Sequence, residues 1–329
     1  MERAGVAENA DRGFVEALLG DGRPLLMLCG LLLVLSGGFA LFLSATGHFL
    51  PHDVQYLGMT AEQLCRLHAC RIVHFMFHDR VAFGGAVIAV GVLYLWLAKF
   101  PLQRGEPWAW WVFAGSGVTG FGSFLSYLGY GYLDTWHGVA TLAIAPCFLA
   151  GLARTYRSLE TPRGIGSLLR PSVPLLPLRG SAAIGRLCLL ATAAGMIGGG
   201  ATILIVGMTS VFVPQDLAFM GLRVSDLEVV NPRLVPLIAH DRAGFGGGIF
   251  TCGWLVLGCV WCGKPSRSLW QALAIAGGAG FACAVGVHFG VGYTDAFHLA
   301  PAVAGAVLHV IGLVLSRGAM CPGVTDGRP

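Results

Sequence analysis

Eight apolar runs limit what this chain can fold into. They are Leu25–Ser44, Val81–Leu97, Trp108–Leu128, Val139–Leu152, Leu187–Val211, Phe245–Trp261, Leu269–Val287 and Ala300–Leu315. Each approaches the roughly 20 residues a helix needs to cross a hydrocarbon core, and the shorter ones extend into polar flanks suited to interfacial depth. Lipid offers no water to backbone N–H and C=O groups, so a span must be a helix or part of a closed barrel. These glycine-rich runs lack the alternation of barrel strands. Only 12% of the 329 residues are charged, against roughly 25% in soluble domains. The expected fold is an all-α polytopic membrane protein with eight transmembrane helices. Its surroundings are membrane lipids, and no nucleic-acid partner is expected.

The runs fall into two tandem copies. Phe49-Leu-Pro-His-Asp53 recurs as Phe212-Val-Pro-Gln-Asp216. His78-Asp-Arg-Val-Ala-Phe-Gly-Gly85 recurs as His240-Asp-Arg-Ala-Gly-Phe-Gly-Gly247. Gly131-Tyr-Leu-Asp-Thr-Trp-His137 recurs as Gly292-Tyr-Thr-Asp-Ala-Phe-His298. The order is kept and the offset drifts only from 163 to 161. This predicts two parallel four-helix bundles, over 24–158 and 184–318. They are joined by a Pro-, Gly- and Arg-rich linker (159–183) and flanked by an N-terminal segment (1–23) and a tail (319–329). An even number of spans per copy gives both copies one orientation, as in parallel-repeat membrane proteins. All three motifs then lie at one membrane depth, where each half can gather them into an outward-opening cluster.

Basic residues orient the bundle. Fifteen Lys and Arg fall on the side of the termini and six on the other, which places both termini in the cytoplasm of a bacterial-type inner membrane. Residues 1–22 are too polar for a signal-peptide core, so no cleavable leader is expected. Cys65 and Cys70 share the first outward loop, where a disulfide and a pair of reduced thiols both fit. Glycine pairs at Gly195/Gly199, Gly244/Gly248 and Gly286/Gly290 are expected to bring helix backbones together, and such close packing disfavours a pore.

The motifs carry ionisable groups into apolar runs, where a charge costs roughly 2.5–3.5 kcal/mol near mid-bilayer. One role for them is structural, with Arg80 pairing with Asp134 or Asp53 to pin helices together. Histidine points further. His78 and His137 lie on the second and fourth spans of the first half, and His240 and His298 at the matching places of the second. Neutral imidazole is a common metal and haem ligand, so these four are the candidate cofactor-binding residues. The first half adds His48, His52, His68 and His74. Gln215 and Pro236 replace the second and fourth of these in the other half, which marks the first half as the active one. His74, Asp79, Arg80 and Asp134 are its candidate catalytic residues.

Two chemistries fit these residues. In one, His78 with His137 and His240 with His298 each clamp a b-type haem. In this plan the chain resembles heme A synthase, a family of eight spans in two parallel four-helix halves. That family has histidines on the second, fourth, sixth and eighth spans and a cysteine-bearing first outward loop; the matching residues are His78, His137, His240 and His298, with Cys65 and Cys70. The resemblance implies a haem-binding membrane oxidoreductase with a haem-like substrate. The sequence departs from the family's Glu-x-x-His-Arg pattern, reading His74-Phe-Met-Phe-His78-Asp79-Arg80. In the other chemistry, His52, Asp53, His78, Asp79, Asp134 and His137 hold a nonhaem Zn, Fe or Mn ion, which activates water or oxygen against a lipid-like substrate. A proton-coupled transporter or a structural subunit is the remaining alternative, weakened by the clustering of polar groups on one side only.

Overall fold

The computed structural model describes residues 13, 19–125, 132, 135–173 and 180–322. Among them are twelve α-helices and no strand. The first half contributes α1 (Arg23–Ala45), α2 (Pro51–Leu57), α3 (Ala61–Cys65), α4 (Arg71–Lys99), α5 (Pro107–Leu125) and α6 (Thr135–Thr155). The second contributes α7 (Ser181–Met208), α8 (Pro214–Met220), α9 (Val224–Val230), α10 (Leu234–Cys262), α11 (Arg267–Val291) and α12 (Ala296–Met320). The series long, short, short, long, long, long thus occurs twice, as the repeat requires. Seven of the long helices are long and apolar enough to cross a membrane. The eighth, α5, has 19 residues, and its Trp, Gly and Ser lower its hydropathy. Cys65 and Cys70 are joined in a disulfide.

The helices do not form two separate bundles. The long ones close into a ring in the order α1, α4, α11, α12, α7, α10, α5, α6 and back to α1, with α4 touching α10 across the middle. The third long helix of each half therefore packs on the second long helix of the other half. Both α4 and α10 lack a one-sided apolar stripe, which suits a helix buried on all sides, and α7 shares that pattern but lies at the edge. About two-thirds of α4 and of α10 lies inside the protein (67% and 61%), against 22–28% for the other candidate spans. Those outer helices present large apolar side chains outward, among them Leu35, Phe39, Phe42, Leu142, Ile205 and Val314.

Close approach of the helix pairs rests on glycines, though not chiefly the pairs expected. Gly195, Gly199, Gly286 and Gly290 face open space. The contacts are made by Gly37 against Gly84 and Gly30 against Gly91 between α1 and α4. Gly200 against Gly246 plays the same part between α7 and α10. A Cβ on Gly37 would stand 2.5 Å from the Gly84 carbonyl oxygen.

Two apolar cores result. One fills the helices towards the chain termini and includes Leu93, Leu97, Phe113, Leu255 and Leu273. The other lies under the short helices and includes Phe75, Met76, Leu64, Phe212, Leu227 and Ile238. On α4 and α10 the residues between these cores are His78, Asp79 and Arg80, and His240, Asp241 and Arg242. A polar layer is thus sandwiched between two apolar ones.

Candidate metal centre

The short helices explain how the first motif reaches that layer. Pro51 and Pro214 open α2 and α8, where a missing N–H costs nothing and the fixed φ suits a first turn. Gly58 and Gly221 end them in the left-handed region, which glycine enters without Cβ strain. The aspartate in the first turn is then buried: Asp53 is 2% exposed and Asp216 0%. Asp216 also accepts the Val213 amide at 2.8 Å, the return half of a capping box.

Each arginine of the layer bridges an aspartate from either half. Arg80 donates through Nη1 to Asp53 Oδ2 at 2.7 Å and through Nε to Asp241 Oδ2 at 2.8 Å. Arg242 donates through Nη1 to Asp216 Oδ2 and through Nε to Asp79 Oδ2, the latter at 3.1 Å. Tyr132 and Tyr293 complete the pattern, their hydroxyls donating to Asp53 at 2.6 Å and Asp216 at 2.8 Å. These are two pseudo-symmetric clasps, and each is shared between halves. The pairing of Arg80 with Asp53 is among those expected. The other carboxylate, Asp241, comes from the other half.

The histidines extend the clasps. His78 Nδ1 lies 2.9 Å from Asp79 Oδ1, and His240 Nδ1 lies 3.1 Å from Asp241 Oδ1. Beyond His78 the two lobes differ. His78 Nε2 faces His288 Nε2 at 3.1 Å, and the His298 ring centroid is 5.3 Å from that of His78. One nitrogen from each of His78, His288 and His298 falls within 4.8 Å of the others. Tyr293 stacks on His298 at 4.4 Å, and the His298 ring leans its Nδ1 towards Asp216 Oδ1 at 4.0 Å.

Proton bookkeeping makes this triad unusual. His288 Nδ1 lies 2.8 Å from the Ala284 carbonyl oxygen, which can only accept, so Nδ1 carries the proton. Asp79 accepts from Arg242 Nε and from His78 Nδ1. In two neutral rings each Nε2 would then carry a lone pair, and the two atoms lie 3.1 Å apart in rings set edge-on to one another. A positive species between them, a metal ion or a shared proton, turns the repulsion of two lone pairs into attraction. Tetrahedral zinc at about 2.0–2.1 Å from nitrogen sets its ligands about 3.3 Å apart, close to the 3.1 Å between His78 and His288, with the His298 nitrogen within 4.8 Å of both. A hydrogen bond from the far ring nitrogen to a carboxylate or carbonyl is also the usual outer support of a metal-bound histidine. The neighbouring clasp, two carboxylates against one guanidinium, adds one net negative charge. A haem between His78 and His288 does not fit this spacing, because its macrocycle must lie between the two axial rings.

The other predicted residues are placed as follows. His52 Nε2 stands 3.4 Å from Asp53 Oδ1 in the first lobe, outside the triad. His74 lies one turn before His78, half-buried, and is not part of the triad. His240 meets the Tyr132 ring at 4.9 Å. Asp134 and the His137 side chain lie outside the described residues. Asp295, the repeat counterpart of Asp134, is an exposed N-cap that accepts the His298 amide at 2.8 Å. The clusters do not simply open outward, since His78 and Asp79 are 2% and 1% exposed beneath the short helices.

His288 was not among the expected ligands. It lies at the end of an apolar run, at the repeat position of Tyr127, so identities between the copies do not mark it. The difference at that position is the signal that finds it. No family model matches this sequence, and neither a curated protein nor a solved structure matches it.

Proposed function

We propose that this chain is an eight-span integral membrane protein holding a nonhaem transition-metal ion on His78, His288 and His298. The facing Nε2 atoms, 3.1 Å apart with both Nδ1 atoms committed as donors, carry this reading. The apolar spans and the fifteen-to-six division of basic residues support a bundle with both termini in the cytoplasm. The metal then lies near the opposite face of the membrane. Three imidazoles leave a coordination position for a water, oxygen or substrate atom, the arrangement of a catalytic rather than a structural site. His298, whose side chain is 19% exposed, is the side from which that ligand arrives. The activity this suits is metal-assisted redox or hydrolytic chemistry on a lipid-soluble substrate. In this reading the site is shared between the halves and holds a bare ion.

Elemental analysis and an absorption spectrum of the purified full-length protein test this. About one Zn, Fe or Mn per chain is expected, lost in His288→Ala and kept in His52→Ala. A metal-free protein would overturn the reading in favour of a shared proton. A Soret band lost in His78→Ala would restore haem.

A further inference from the structure

The two clasps use the same Arg, Asp and Tyr set but finish their arginines differently. Arg242 has a third acceptor, the Val211 carbonyl, at 2.8 Å from Nη1. Val211 reaches it through a left-handed backbone, φ 65°, an uncommon conformation for a β-branched residue. Gly207 lets α7 lie close there, where a Cβ would stand 2.9 Å from the Ala243 amide. The Arg242 side chain is 5% exposed. In the first lobe Ser44 stands where Gly207 does and His48 where Val211 does. Arg80 bonds only to Asp53 and Asp241 among the described residues. Its side chain is 15% exposed, and it borders a cavity of about 80 Å³. Ala40, Leu43, Leu50 and Phe83 form the apolar walls of this cavity, and Asp53, Arg80, His240 and Asp241 its polar end.

We infer that this cavity binds a neutral, lipid-soluble molecule through a carbonyl oxygen, which takes the place that the Val211 carbonyl fills on Arg242. The remaining guanidinium hydrogens of Arg80 call for an acceptor. Two carboxylates against one guanidinium leave a net negative charge, which turns away anions. The apolar walls belong partly to α1, whose other face carries exposed Phe39 and Phe42, so the occupant comes from the lipid phase. A quinone and the ester carbonyl of a bilayer lipid share this chemistry. The inference concerns the lobe without the histidine triad and stands apart from the metal reading.

The test uses the full-length protein in nanodiscs of ether lipids, which carry no ester carbonyl. A decyl-substituted benzoquinone is titrated and its binding followed by tryptophan quenching. Native mass spectrometry of protein from ester-lipid nanodiscs reads retained lipid in parallel. Leu43→Trp fills the cavity from its rim, and Leu35→Trp, on the exposed face of α1, is the control. Expected is saturable binding of quinone, or selective retention of ester lipid, that falls at least tenfold in Leu43→Trp and is unchanged in Leu35→Trp. Whichever probe responds names the source. If neither probe binds folded wild-type protein, or if Leu43→Trp leaves both unchanged, the inference is overturned. Metal content, measured on the same samples, stays constant and separates this outcome from the one above.

Discussion

Replacing Arg242 with Met separates what the clasp does for stability from what it does for the site. The substitution keeps the side-chain length and removes the charge between Asp79 and Asp216, which are 1% and 0% exposed. Breaking a buried ion pair by removing one partner costs about 3–5 kcal/mol, because the other charge is left without compensation. Here two carboxylates and the Val211 carbonyl lose their donor, so the upper part of that range applies. Arg80→Met should cost less, about 1–3 kcal/mol, the range for a group left unsatisfied, because its side chain is the more exposed of the two, 15% against 5%. Replacing the whole clasp, as Arg242→Met with Asp79→Leu and Asp216→Leu, should recover most of the loss, since apolar side chains often substitute for a buried ion pair at no cost. The triple variant leaves His78 Nδ1 without its acceptor, and loss of such an outer partner weakens metal binding about 10–100-fold. Reversible unfolding in mixed micelles gives the stabilities, and competition with a chelator gives the metal affinity. If Arg242→Met lies within 1 kcal/mol of wild type, or the triple variant is no more stable than the single one, the clasp is not the buried ionic bridge described.

Two further outcomes are expected. Gly246→Val should separate α7 from α10, because a Cβ there runs into the Leu204 backbone amide; overpacking costs about 1–3 kcal/mol. Gly286→Val, at a site facing open space, should be neutral in the same unfolding assay. Metal affinity should fall in acid, since protons compete for the lone pairs that ligate, and chelator competition at a series of pH values measures it.

Much of the fold was legible because it follows from solvent and pattern. Apolar runs of span length announce helices, and the repeated Phe-x-Pro-x-Asp, His-Asp-Arg and Asp-x-x-His motifs announce two copies in one orientation. The motifs also lie where the polar layer lies. Sequence could not tell which copy a residue faces. Asp79 and Asp241 are equivalent by repeat, yet each serves the arginine of the opposite half, because α4 and α10 meet at the centre and α5 and α11 cross over. Asp295 of the second Asp-x-x-His motif is a helix cap, while Asp134 of the first lies outside the described residues. His288 stands alone in the sequence, because its partners come from α4 and α12.

The crossed clasps have a consequence for how this protein can be divided. Arg80 meets Asp241 and Arg242 meets Asp79, so residue i of one half contacts residue j of the other and the reverse also holds. That reciprocity is the signature of an isologous dimer, here written into a single polypeptide. A true homodimer must keep its two pockets identical, because one sequence builds both. Fusion removes that constraint. One arginine can be sealed by a backbone carbonyl while the other stays open, and a tyrosine position can become His288 in one copy only. Cutting the chain in the linker should therefore give two halves that recover the fold only together, each supplying a carboxylate that the other's arginine needs.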